Sequence, residues 1–190
     1  MLKNKKLILA SQSPRRKDLL AQMGFEFEIR LNPVDETPPA DLPIEALAEY
    51  LAQKKAHALR HTLTENEILL SADTVVIKNG VSLAKAQNAT EAKKMLSQLS
   101  AQVHQVQTGV CLLSKNKEIC RSEITEVHFR ELSTAEIDFY IQNYAPFDKA
   151  GAYGIQEWIG MVGIKKIVGS YFNVVGLPTH LVYEMLQEMD

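Results

Sequence analysis

The chain has 190 residues, 46% of them hydrophobic and 23% charged, the composition of an ordinary globular protein and not of a disordered, collagenous or membrane chain. Its 21 Lys and Arg face 23 Asp and Glu, and the formal charge of −2 excludes a polyanion binder that works by bulk attraction, so any anion site has to be local. A chain of this length can bury most of its unfolded surface in one core, and no repeat, low-complexity tract or linker marks a boundary; a single domain, residues 1–190, is expected.

The basic start, residues 1–6, is followed by an apolar run of only four residues, 7–10, far short of a signal sequence or a membrane span. A cytoplasmic protein with no membrane partner is expected. That run reads as a strand, and Ser13-Pro14 places a capping side chain before a proline suited to a first helical turn. The helix carries Leu19, Leu20 and Met23 on one side and stops at Gly24. Residues 25–31 resume as a strand, and residues 32–43, with Pro33, Pro38, Pro39 and Pro43 among Asp35, Glu36 and Asp41, form an irregular acidic loop. Apolar residues at helical spacing predict a long amphipathic helix over 44–63 bearing Lys54 and Lys55. A strand over 68–77 follows, then a hairpin turn at Asn79-Gly80, a helix over 89–99, a strand pair over 103–113 and 119–129, and a helix capped by Ser133. Gly151, Gly154, Gly160, Gly163, Gly169 and Gly176 crowd the region before a last helix over 179–189, which marks backbone that approaches other groups closely. Alternating strands and helices with one adjacent strand pair predict an α/β fold with a mixed sheet.

Two places stand out chemically. At Ser11-Gln12-Ser13-Pro14-Arg15-Arg16 a strand end feeds a helix N-terminus carrying two guanidinium groups. Free N–H groups and bidentate Arg donors suit phosphate, and Arg opposes the helix dipole there unless an anion is bound; the plainer reading is a solvated first turn. Asp73 interrupts an apolar strand. By itself it reads as a strand residue capping a nearby loop; with Glu36, Lys55 and Lys85 it reads as a site where carboxylates hold a hard divalent cation and lysines neutralise phosphate. His57 and His61 lack the Glu and third ligand of a zinc motif and read as a polar helix face, while His104 and His128 read as ordinary strand residues. Cys111 and Cys120 have no CxxC spacing and no neighbouring His, and two separate reduced thiols are expected over a bridge. No phosphate-binding GxxxxGK[ST] loop, acyl-transfer motif or nucleic-acid platform is present, so no nucleic-acid partner is expected.

The segments 9–16 (LASQSPRR), 71–76 (SADTVV), 148–156 (DKAGAYGIQ) and 169–178 (GSYFNVVGLP) together resemble the Maf family, in the family's order and across nearly the whole chain. The resemblance implies a mixed twisted sheet flanked by helices, two lobes around a cleft, similar to the inosine triphosphate pyrophosphatases. It implies hydrolysis of nucleoside triphosphates to monophosphate and pyrophosphate, with Mg2+ or Mn2+ as cofactor and a homodimer as a possible assembly. It also implies roles for single residues: Asp73 as general base, Glu36 and Asp73 as metal ligands, Lys55 and Lys85 as catalytic lysines, Ser11, Ser13 and Arg16 beside the phosphates, and Arg15, Thr74 and Gln156 in substrate choice. The 148–156 segment is similar to the branch acting on dTTP and UTP, with house-cleaning of nucleotide pools as its expected task. The alternatives are a pyrophosphatase for 7-methyl-GTP or another modified nucleotide, and a nucleotide-binding regulator of septum formation with little turnover. Gln12 stands where the family usually has Gly, and Ala84-Lys85-Ala86 where it usually has Gly-Lys-Pro.

Overall fold

A computed structural model describes residues 5–189; Met1–Asn4 of the basic start and Asp190 lie outside the described residues. The chain forms two compact units, each discontinuous in sequence. The first takes the chain up to Asp73, Thr108–Glu123 and the segment from Gly176 onward; the second takes Thr74–Gln107 and Ile124–Val175. Three of the boundaries fall inside strands, which is why no linker composition betrays them.

In the first unit the apolar run is β1 (Lys6–Leu9), pairing in parallel with β2 (Phe27–Ile29) and with the start of β3 (Glu67–Lys78). Between β1 and β2 lies α1 (Pro14–Gln22), capped by the Ser13 hydroxyl and ended at Gly24 in the left-handed region. The long helix expected over 44–63 is shorter. A 3₁₀ turn (Ile44–Ala46) leads into α2 (Leu47–His57), and a second 3₁₀ turn (Arg60–Thr62) follows. Leu59 and Leu63 leave the helical path because both are buried in the core of this unit, with Ile8, Ala52, Ala56 and Leu69. The helix also passes unusually close to Gly109, where a Cβ would lie 2.3 Å from the Ala48 carbonyl.

The second unit begins within β3, which turns at Asn79-Gly80, both with positive φ, into the short antiparallel β4 (Val81–Leu83). Then come α3 (Ala89–Leu99), β5 (Val103–Leu113), β6 (Glu118–Phe129) and α4 (Thr134–Tyr144), whose Ser133–Glu136 capping box follows the expected pattern. The glycine-rich stretch is more regular than its composition suggests. It holds α5 (Trp158–Gly163), β7 (Ile164–Val168) and α6 (Tyr171–Val175), with β7 antiparallel to β6. The chain closes with α7 (Thr179–Glu188). The sheet order is β2-β1-β3-β5-β6-β7 with β4 on β3, a seven-stranded mixed sheet flanked by helices. Among the described residues no helix is long and apolar enough to cross a membrane.

The cysteines depart from expectation. Cys111 on β5 and Cys120 on β6 are joined in a disulfide, because the hairpin sets their Cα atoms 4.2 Å apart, the spacing of directly opposed residues in a closely facing cross-strand pair.

Candidate active site

Asp73 lies on β3, and its carboxylate Oδ1 accepts a hydrogen bond from Lys55 Nζ at 2.5 Å. The placement follows from local geometry. Ser71 and Asp73 share one face of the strand, and Ala52 and Lys55 share one face of α2. The buried Ser71 hydroxyl donates to the Ala52 carbonyl at 2.6 Å, and this bond sets the register that brings Lys55 to Asp73. The acidic loop reaches the same ammonium, with Glu36 Oε1 3.1 Å from Lys55 Nζ. Lys54 holds that loop by donating to the Thr37 carbonyl, and the Asn32 amide does so by donating to the Ala58 carbonyl. Two carboxylates from distant segments thus converge on one cationic centre.

Arg16 lies within electrostatic reach. Its Nε donates to the Gly176 carbonyl and its Nη1 to the Ala72 carbonyl, each at 2.8 Å, with Ser11 Oγ at 3.4 Å from Nη1. The guanidinium therefore fixes the peptide immediately before Asp73. Burial pushes its pKa below the ordinary guanidinium value; the charge of Asp73 opposes that shift, the like charge of Arg15 adds to it, and Glu36 opposes it. Ser11 is buried and its Oγ accepts from the Ser13 N–H, while the Ser13 hydroxyl caps the Arg16 N–H. Arg15 is half-buried on the first turn of α1, and Gln12 is exposed in the preceding loop. Ser11, Ser13, Arg15, Arg16, Glu36, Lys55 and Asp73 all belong to the first unit.

Thr74, Lys85 and Gln156 belong to the second. There the lysine segment meets the 148–156 segment directly: Lys85 forms an antiparallel bridge with Ala150, and the Gly151 N–H donates to the carbonyls of Leu83 and Ala84. Lys85 and Gln156 are both exposed. A Cβ at Gly154 would fall 2.8 Å from the Gln156 amide nitrogen, so glycine there makes room for the amide.

Several supporting residues carried no sequence signal. Tyr140 on α4 donates to the Glu157 carboxylate and accepts from the Gly154 N–H, and Lys149 Nζ lies 3.0 Å from Glu157, so the 148–157 segment is pinned on both sides of Gln156. His104 lies on strand β5, as expected, and is almost fully buried with its Nε2 2.8 Å from the Tyr153 hydroxyl. Burial lowers its pKa to about 3, so it is neutral near pH 7.

The profile of the Maf family, described as Maf-like protein, matches residues 6–189. The chain belongs to the Maf family. Among curated relatives of this Maf protein, one from Phocaeicola vulgatus is 48% identical over 99% of the chain and 98% of its own length, and one from Christiangramia forsetii is 47% identical over 100% and 96%. Both are named dTTP/UTP pyrophosphatase, as is a relative from Porphyromonas gingivalis, 46% identical over 98% of the chain and 96% of its own. Among solved structures, the Staphylococcus aureus Ham1 protein aligns with a TM-score of 0.48 at 14% identity, over 66% of this chain and 72% of that one.

Proposed function

We propose that this Maf protein hydrolyses dTTP and UTP to the monophosphate and pyrophosphate, clearing nucleotide pools in the cytoplasm. The observation that supports the reaction is the convergence of Asp73 and Glu36 on Lys55, a combination of acid and base groups suited to a triphosphate. The full-length relatives named for these substrates support the substrate choice. In this reading Asp73 takes the proton from the water that attacks the α phosphorus, the P–O bond to the β phosphate breaks, and pyrophosphate departs. Lys55 and Lys85 balance charge on the phosphate oxygens, Ser11 and Ser13 serve the phosphates at the start of α1, and Arg15 serves substrate choice. Arg16 acts chiefly by fixing the Ala72 carbonyl, and through it Asp73.

The donor chemistry fits a divalent cation, since two carboxylate oxygens gathered at one cationic centre form a hard set that Mg2+ or Mn2+ accepts when substrate phosphates complete the shell. Glu36 and Asp73 would hold it, and when bound it would supply neutralisation of the triphosphate charge. Gln156 offers one acceptor and two donors, a match for the alternating carbonyl and N3–H edge of uracil or thymine, and Thr74 assists the same choice. A homodimer is the assembly expected of the family.

The test is pyrophosphate release from dTTP, UTP, 7-methyl-GTP and other modified triphosphates with Mg2+ or Mn2+, for wild type and Asp73→Asn. Rapid release from dTTP and UTP is expected, lowered about 10²–10⁴-fold in the variant. Unchanged turnover in folded Asp73→Asn would remove the base. Saturable nucleotide binding without release would favour the regulator.

A further inference from the structure

The first unit carries a second cluster of reactive side chains that the pyrophosphatase reading does not use. Cys111, Glu118 and Cys120 each bring a donor atom within 4.8 Å of the others. Glu118 Oε1 is 3.7 Å from Cys120 Sγ, and His57 Nε2, at the end of α2, is 3.0 and 2.9 Å from the two Glu118 oxygens. Two sulfurs and a carboxylate therefore form one donor set, with the His57 imidazole bonded to its carboxylate.

We propose that, with the Cys111–Cys120 bond reduced, this cluster binds a borderline-soft divalent cation, Zn2+ by preference, through both thiolates and the Glu118 carboxylate, with His57 orienting that carboxylate from outside. Zinc bonds of about 2.3 Å to sulfur and 2.0–2.2 Å to nitrogen or oxygen place neighbouring tetrahedral donors roughly 3.2–3.8 Å apart. The Glu118–Cys120 separation lies inside that range, and His57 Nε2 holds the Glu118 carboxylate at ordinary hydrogen-bond distance. Glu118 and Cys120 are two apart on β6, so the strand itself aims both to one face. The Gln53 amide at 2.7 Å and the Arg60 guanidinium at 3.1 Å also bond the Glu118 carboxylate, the kind of outer contact that orients a ligand oxygen. Thiolate donors set this site apart from the all-oxygen pair Glu36 and Asp73 and select a different ion.

The disulfide and the ion are alternatives. A dithiol reductant breaks the S–S bond by supplying two electrons and two protons, giving two protein thiols and leaving itself as a disulfide; binding of the ion then releases those two protons. A reducing compartment keeps the bond open and the donors available.

The experiment uses the full chain, reduced with a dithiol that is then removed under exclusion of air, and titrated with Co2+ followed by Zn2+. Its readout is thiolate-to-cobalt charge-transfer absorption, so the outcome does not depend on nucleotide turnover. One ion per chain is expected, with absorption that Zn2+ abolishes and millimolar Mg2+ does not. Cys120→Ser should lose the absorption. His57→Ala, at an exposed position that leaves folding intact, should weaken binding about tenfold or more. Absence of the absorption in the reduced folded chain, its survival in Cys120→Ser, undiminished affinity in His57→Ala, or equal binding by the oxidised chain would each overturn the site.

Discussion

Strand β3 carries two acidic residues paired with cations, Glu67 at its start and Asp73 further along, and they are built for different ends. Glu67 accepts from both terminal nitrogens of Arg30, at 2.9 Å and 3.2 Å, and from the Thr64 N–H at 2.9 Å. A bidentate Arg fork plus a backbone donor commits both carboxylate oxygens. Asp73 instead meets a lysine, a compact point charge on a flexible stem, which also lies 3.1 Å from the half-exposed side chain of Glu36. A locked pair holds a strand end in place. A pair held by a single movable ammonium is suited to exchanging partners when a charged substrate arrives.

The largest effect that would break this comparison is at Lys55. Lys55→Met removes the ammonium that Glu36 and Asp73 both contact, and pyrophosphate release from dTTP is expected to fall about 10²–10³-fold, the range for losing one preorganised charge donor. Thermal unfolding should move little beside that loss. If instead the variant unfolds at markedly lower temperature while the folded fraction keeps its turnover, Lys55 is a structural partner like Arg30 and the contrast fails.

The two pairs also differ in how visible they were from sequence. Asp73 could be singled out because a carboxylate within an apolar strand conflicts with its surroundings, and Lys55 because it rides on a recognisable helix. Most element positions followed from periodicity and capping, as at Ser13, Asn79-Gly80 and Ser133. The Arg30–Glu67 pair was not legible, since both residues are ordinary charged residues at strand ends and only the packing of β2, β1 and β3 brings them together. The same holds for His57 beside Glu118: the cysteine hairpin has no His near it in sequence, and the fold of α2 brings His57 to the Glu118 carboxylate. Helix α5, β7 and α6 escaped because six glycines in one stretch suppress the local propensities on which such readings rest. No linker composition marks the two units, because three of their boundaries fall inside strands.

A smaller effect, of opposite kind, is expected at Glu67. Its pKa is held down from 4.5 to about 2, first by the Arg30 hydrogen bonds, against the opposing cost of burial, and further by the Thr64 N–H. A depressed carboxyl pKa contributes stability that is fully present above 4.5 and is lost as pH falls toward about 2. With the pair largely shielded from water, that contribution is about 2–3 kcal/mol at neutral pH. Glu67→Gln should therefore unfold more readily than wild type at pH 7, with turnover per folded molecule unchanged. Denaturant titrations at a series of pH values should show the gap closing as pH falls through that window. A gap that stays constant with pH would mean that the carboxylate charge is not what holds the strand.

The smallest effect isolates the fork itself. Arg30→Lys keeps the positive charge beside Glu67 but replaces two parallel N–H donors with one ammonium, the arrangement that Asp73 already has. Arg30 also donates from Nη1 to the Thr62 carbonyl and hydroxyl, each at 3.1 Å, and a lysine reaching Glu67 cannot keep all of these contacts. A loss of about 1 kcal/mol is expected, read as a fall of roughly 2–4 °C in the midpoint of thermal unfolding for a chain of this size. Pyrophosphate release at 25 °C should be unchanged. If Arg30→Lys proves as stable as wild type, charge alone secures this strand end, and geometry would no longer separate the structural pair from the pair at Asp73.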